Sequence, residues 1–140
     1  MSGEDICGMI GQTKSLMKTE TNNILSLIVA TIFADKRIYA SEVDVFLKST
    51  LSLKVLRQVE PRLSEAKLLN WYEMNKADIQ AKITAPYFKD WFYCLLDQLS
   101  GLPEKSSVLN VMRDISVADG EVHVSERALI TLAERHWGLR

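Results

Sequence analysis

Five acidic side chains near two short loops are the residues of this chain best suited to chemistry. They are Asp35 and Glu42 at the first loop, and Asp119, Glu121 and Glu126 at the second. Carboxylate oxygens are hard ligands of the kind that Ca²⁺ and Mg²⁺ prefer. The sequence therefore predicts a site for a divalent cation, Ca²⁺ or Mg²⁺, at the second loop, with Asp119, Glu121 and Glu126 as ligands. Asp35 and Glu42 at the first loop form a poorer candidate, because Lys36 and Arg37 stand where the second loop has Gly120 and Glu121.

The second loop does not follow the EF-hand pattern for calcium. With Asp119 at the first loop position, Val124 stands at the sixth, where an EF-hand has Gly, and Ile130 stands at the twelfth, where it has Glu. His123 is a further candidate ligand beside Asp119, but the sequence lacks the two-histidine helical pattern of zinc proteases. A cation site here would be of another type, dominated by oxygen ligands.

Asp119 also has an interpretation that involves no metal. A carboxylate at the C-terminal end of a helix opposes the helix dipole, so it needs compensation from a cation or from hydrogen-bond donors. In the second interpretation Asp119 accepts hydrogen bonds from the backbone N–H groups of Glu121 and Val122 and shapes the turn, and Asp35 does the same in the first loop. Both interpretations remain open, and the second is favoured.

The two loops belong to an internal repeat. The offset is 84 residues from Asp35 to Asp119 and again between the glutamates that follow them at the start of the next helix. Apolar residues before the loops align at the same offset: Ile24, Leu27 and Ile28 with Val108, Val111 and Met112. The sequence therefore predicts two helix–loop–helix units, at about residues 22–50 and 106–137.

Helical periodicity dominates the whole chain. Residues 24–34, "ILSLIVATIFA", are apolar on every face, which is typical of a buried central helix, and they are too few to cross a bilayer. The only candidate strands, "RIYA" and "EVHV", are very short. Residues that start, separate or end helices stand at the breaks in the periodicity: Ser41, Pro61, Ser64, Pro86 and Gly138. These features predict a single all-α domain over residues 1–140.

Charge, the first residues and the cysteines indicate which partners and which cellular location to expect. The net charge of −1 gives no electrostatic reason to expect nucleic-acid binding. The first residues lack the basic start of a secretory signal, so the predicted location is cytoplasmic. Cys7 and Cys94 match no metal or redox spacing, and in that compartment both are expected to be reduced thiols that fill space.

Motifs of common enzymes are missing from the sequence. It has neither a P-loop Gly-Lys-Ser/Thr run nor a Gly-x-Ser-x-Gly elbow, and its only histidines are His123 and His136. An alternative function, as an enzyme or small-molecule-binding protein, would use an interhelical pocket near the aromatic residues 86–95. Tyr87 and Trp91 in that segment have helical spacing, which favours a core stripe over a ligand groove.

The segments "FADKRIYASE" and "VADGEVHVSERALITLAERHWGL" resemble the tellurite-resistance TerB-like family. The resemblance implies a compact bundle of about seven helices with an internal pseudo-twofold relation. It also implies that Asp35, Glu42, Asp119 and Glu126 are ligands of a divalent metal. The first copy departs from the motif because Lys36 replaces its Gly, and the "HPD" motif of J-domain co-chaperones is absent from the sequence.

Together the repeat and the resemblance predict a cytoplasmic, non-enzymatic binding module of a stress response. The resemblance further implies docking on a protein partner, often one associated with a membrane, and a link to tellurite resistance. The chain itself is not expected to be an integral membrane protein. Its oligomeric state is left open by the sequence.

Overall fold

A computed structural model describes residues 19–34, 40–102, 105–117 and 124–138. Within these ranges the regular structure is entirely helical, which confirms the predicted all-α bundle. The candidate strands "RIYA" and "EVHV" lie outside the described residues except for the last residue of each. The helices are α1 (Thr19–Phe33), α2 (Ala40–Leu51), α3 (Lys54–Val59), α4 (Glu65–Thr84), α5 (Phe88–Gln98), α6 (Lys105–Ser116) and α7 (Val124–His136).

Helix α1 is the centre of the bundle. It packs against each of the other six described helices. Every residue from Asn23 to Phe33 is buried, which follows from a sequence that is apolar on all faces. Despite this hydrophobicity α1 has only 15 residues, and none of the described helices is both long and apolar enough to cross a membrane.

Predicted start and stop signals account for several helix ends. The Ser64 side chain accepts a hydrogen bond from the Lys67 backbone N–H, at 3.2 Å, and caps α4 as expected. Gly138 has a φ of 70° just after α7, a conformation that suits glycine and confirms its predicted role as a terminator. Pro86 was expected at the first helical position, but α5 begins at Phe88 after a turn closed by the bond from its N–H to the Ala85 carbonyl.

Each acidic loop is flanked by a pair of helices, and the two pairs keep the spacing of the repeat. The first unit is formed by α1 and α2, and the second by α6 and α7. The second helix of each unit starts at Ala40 and at Val124, which are 84 residues apart. Helices α1 and α6 pack against each other, and each also contacts the second helix of the opposite unit. The core is therefore shared between the two units.

Cys94 on α5 is disulfide-bonded, so the prediction of a reduced thiol at this position is wrong. Sequence spacing does not reveal such a bond, because pairing depends on which segments the fold brings together. The chain's other cysteine, Cys7, lies outside the described residues.

Replacing Thr31 by valine is expected to raise the free energy of unfolding by about 1 kcal/mol. The Thr31 hydroxyl is fully buried in α1 and has no hydrogen-bond partner within the described chain. An unpaired buried hydroxyl costs about 1–3 kcal/mol, and the aligned position of the second unit holds a buried isoleucine, Ile115. Urea denaturation measures the change. Thr84→Val, at an exposed site, is the control and should stay within about 0.5 kcal/mol.

Candidate functional site

The structure does not describe the side chains of the five predicted cation ligands. Asp35, Asp119 and Glu121 lie outside the described residues. Glu42 and Glu126 belong to α2 and α7, but their side chains lie outside the described part as well. His123, the further candidate ligand, is also outside it. The cation site therefore stays a prediction from the sequence. Elsewhere, the described residues contain no group of three or more His, Cys, Asp or Glu side chains that could hold a metal.

The aromatic segment of residues 86–95 contributes mainly to the core. Trp91 and Phe92 are buried, and the ring of Phe88 packs on both, with centroids 6.4 and 5.6 Å away. Of the predicted stripe, Trp91 is buried and Tyr87 is partly buried against the core, which confirms the packing role that the spacing favoured. No aspartate or glutamate is buried among the described residues, so the described helices offer no pocket with a buried carboxylate for the alternative enzymatic function.

His136 attaches the end of α7 to α5. Its Nε2 lies 2.6 Å from Oδ1 of Asp97, and its ring stacks on Tyr93 with centroids 5.1 Å apart. The neighbouring Trp137 donates its indole N–H to the Leu96 carbonyl at 2.9 Å. The Asp97 side chain is largely exposed, so solvent competes for this contact and it contributes little to stability. These contacts fasten two helices together beside an open depression of about 510 Å³, which is lined by Tyr93, Leu132, Arg135 and His136.

Lys82 is a buried cation that the sequence analysis did not single out. It lies on the inner face of α4, and its Nζ is 5.8 Å from the centroid of the Trp91 ring. Burial removes water from the ammonium group and lowers the pKa of Lys82, while the nearby Asp78 carboxylate partly opposes that change. Helical spacing could have identified it, because it continues the stripe of buried residues of α4: Leu68, Trp71, Tyr72, Asn75 and Ile79.

Lys82→Met is expected to raise the free energy of unfolding at neutral pH by about 0.5–2 kcal/mol. The lowered pKa means that folded Lys82 binds its proton more weakly than the unfolded chain does. The free energy of unfolding of the wild type therefore rises as the pH increases toward the ordinary lysine pKa of 10.5, because deprotonation removes the cost of burying the charge. The stabilisation that Lys82→Met produces should shrink over the same pH range. Denaturation curves across alkaline pH measure it, with the exposed Lys89→Met as the control.

A surface groove lies between α6 and α7 in the second unit. We call it the second-unit groove; its lining is Arg113, Ser116, Val117, Arg127, Ile130, Thr131 and Glu134. Ile130 forms a buried floor, whereas the Val117 side chain beside it is 50% exposed. Its volume is about 260 Å³, below the roughly 300–1,000 Å³ of small-molecule pockets. The groove is thus shallow and partly apolar.

Charged side chains border this apolar centre. Nη2 of Arg113 lies 3.2 Å from Oε2 of Glu134, so one ion pair joins α6 to α7 across the groove. Arg127 forms no ion pair with any described residue. The described lining residues include two guanidinium groups and one carboxylate, and the guanidinium of Arg127 has no ion pair with a described residue.

The first unit has the same surface, but another helix covers it. At the repeat offset, Val117 and Ile130 correspond to Phe33 and Phe46, which are both buried. Tyr72 of α4 fills the space above them, with ring centroids 6.3 Å from Phe33 and 5.8 Å from Phe46. The second-unit groove is therefore the counterpart of a helix-binding surface, left open to solvent.

The sequence carries a signal for the groove in the differences between the two copies of the repeat. At two aligned positions, buried uncharged residues of the first unit are replaced by charged ones in the second. Val29 is fully buried while Arg113 is exposed, and Thr50 is buried while Glu134 is partly exposed. A loss of apolar character between two copies of one unit indicates a face that is covered in one copy and open in the other.

Comparison with protein-family models, curated proteins and solved structures finds no match to this chain. The resemblance to the TerB-like family therefore stays a prediction that rests on the repeated loop motif.

Proposed function

We propose that the protein is a non-enzymatic binding module that holds an amphipathic helix of a protein partner in the second-unit groove. One observation carries the proposal. Val117 and Ile130 occupy the positions of Phe33 and Phe46, which in the first unit form the surface for Tyr72 of α4. A helix that presents an aromatic or large aliphatic side chain fits such a surface, as in other cases of helix-in-groove recognition.

The charges around the groove favour a particular kind of helix. Arg127 forms no ion pair within the described chain. Arg113 pairs with Glu134 and also donates a hydrogen bond to Oδ1 of Asn110 at 3.0 Å. A carboxylate placed beside the apolar anchor would meet one or both guanidinium groups, which bind carboxylates with matched geometry. The proposed partner helix is therefore acidic next to its anchor.

The predicted cation loop adds a finer part to the proposal. Residues 118–123 join Val117 to Val124, so the loop connects the two helix ends that border the groove. A Ca²⁺ or Mg²⁺ ion held by Asp119, Glu121 and Glu126 would offset two of their three negative charges and so reduce their repulsion of an acidic helix. This finer function is that of a TerB-like stress-response module whose partner binding depends on a divalent cation.

Two model peptides test the docking proposal. Both form a helix with one tyrosine anchor; one carries glutamates beside the anchor and its matched control carries lysines. Titrated into ¹⁵N-labelled protein, the acidic peptide should shift the amide signals of Val117, Arg127 and Ile130 and bind at least about tenfold more tightly than the basic one. Val117→Lys should abolish the shifts.

Two results would contradict helix docking. One is that neither peptide perturbs the groove signals at millimolar concentration. The other is that Val117→Lys leaves binding of the acidic peptide unchanged. Circular dichroism of the variant controls for loss of fold, since Val117 is half-exposed in the turn after α6 and tolerates a polar side chain.

A further inference from the structure

Large apolar side chains that are exposed occur in two places on the described surface. One is Val117 in the second-unit groove. The other is the outer face of α4, where Leu69 is 40% exposed and Met74 is 49% exposed. No other large hydrophobic residue of the described chain is exposed to this extent. Val117 and the pair Leu69 and Met74 therefore place exposed apolar surface on two different elements of the fold.

The outer face of α4 has the features expected of a helix that docks in a groove. Leu69 and Met74 flank the exposed residues Asn70 and Glu73, while the opposite side of the helix packs into the core. Glu73 pairs with Lys76 at 2.8 Å, but both side chains are about half-exposed. An exposed pair of this kind contributes little stability, so the Glu73 carboxylate can be redirected at small cost.

We propose that the second-unit groove of one copy of this chain binds the outer face of α4 of a second copy. The inference rests on the proposed function and names the helix that occupies the groove. Leu69 or Met74 contacts Val117 and Ile130, and Glu73 pairs with Arg127, the groove cation that has no ion pair in the described chain. Apolar contact and opposite charge then coincide at one interface.

The two patches lie on different elements, which determines the form of the assembly. Each copy offers one groove and one α4 face, so a contact of groove to α4 is heterologous. Such contacts leave an unused groove at one end and an unused α4 face at the other. Further copies add until a ring closes, so the assembly is not limited to a symmetric dimer.

Analytical ultracentrifugation of the full chain tests this inference. The weight-average mass should rise with concentration from the monomer value of 15.9 kDa to beyond that of a dimer. Val117→Lys in the groove and Met74→Lys on α4 should each weaken association at least about tenfold. Lys89→Glu changes an exposed charge on α5 and is the matched control, for which association should match the wild type.

A charge-exchange experiment identifies the pair of surfaces. Glu73→Arg and Arg127→Glu should each reduce self-association about tenfold, because like charges then meet at the interface. Mixed in equal amounts, the two variants should associate as strongly as the wild type. In the mixture, the unaltered groove of one variant faces the unaltered α4 of the other, and the two altered surfaces also have opposite charges.

The outcomes separate the inference from the proposed function. A wild-type chain that stays monomeric at millimolar concentration overturns self-docking, as does a mixture that associates no better than each variant alone. Shifts produced by the acidic model peptide at Val117 and Ile130 would still support a helix-binding groove in that case. If the peptide gives no shifts and the chain is monomeric, both proposals fail.

Discussion

Phe33→Ala is expected to lower the free energy of unfolding by about 3–5 kcal/mol, whereas Val117→Ala should change it by no more than about 0.5 kcal/mol. The two residues are equivalent in the repeat, but Phe33 is 1% exposed beneath Tyr72 and Val117 is 50% exposed. Truncating a buried ring removes its transfer free energy and leaves a cavity. Truncating an exposed valine does neither. Urea denaturation at low micromolar concentration measures both changes.

A second pair of equivalent positions provides the control. Phe46 and Ile130 are both buried, so Phe46→Ala and Ile130→Ala should each cost more than about 2 kcal/mol. Equal losses for Phe33→Ala and Val117→Ala would contradict the open groove, because they would show that Val117 is covered in solution. Low protein concentration matters here, since self-association would itself cover Val117.

Asp119→Ala should lower the free energy of unfolding by about 1.5–3 kcal/mol if Asp119 accepts charge-assisted hydrogen bonds from loop amides. The loss should then be the same with and without a chelator, and Asp35→Ala should behave alike in the first copy. Thermal denaturation in both conditions measures it. This test concerns the interpretation of the acidic loop that involves no metal.

A cation site predicts a different result for the same residue. The loss on Asp119→Ala would then appear only when a divalent cation is present. Titration calorimetry with Ca²⁺, Mg²⁺, Mn²⁺ and Zn²⁺ should detect binding, and Asp119→Asn should abolish it while leaving the fold intact. A cation at about 100 times its Kd would stabilise the native chain by roughly 2.7 kcal/mol. Identical melting curves with cation and with chelator would exclude this interpretation.

Local patterns were sufficient to predict the elements of the fold. The central position of α1 follows from its apolar residues on every face, and the start of α4 follows from the capping side chain of Ser64. The turn before α5 was misplaced because proline suits both a first helical turn and the turn that precedes it. Its position depends on the hydrogen bond from Phe88 to Ala85.

Local sequence patterns predict neither the groove nor the disulfide of Cys94, and the reason is the same for both. Each depends on which segments meet in three dimensions. Positions 33 and 117 are equivalent in the repeat and both apolar, yet only Phe33 is covered by α4. Lys82, in contrast, follows the local spacing of the buried stripe of α4. Its position is not evident from the sequence because a lysine is not expected at a buried site.

The contacts of α1 with all six other described helices bear on how the chain folds. A duplicated sequence suggests halves that fold independently, yet the first helix of one half here completes the interior of the other. Neither half retains a closed interior alone, so separate fragments should remain largely unfolded until mixed. Amide hydrogens of α1 should accordingly exchange only through global unfolding, and the domain should melt in a single cooperative transition.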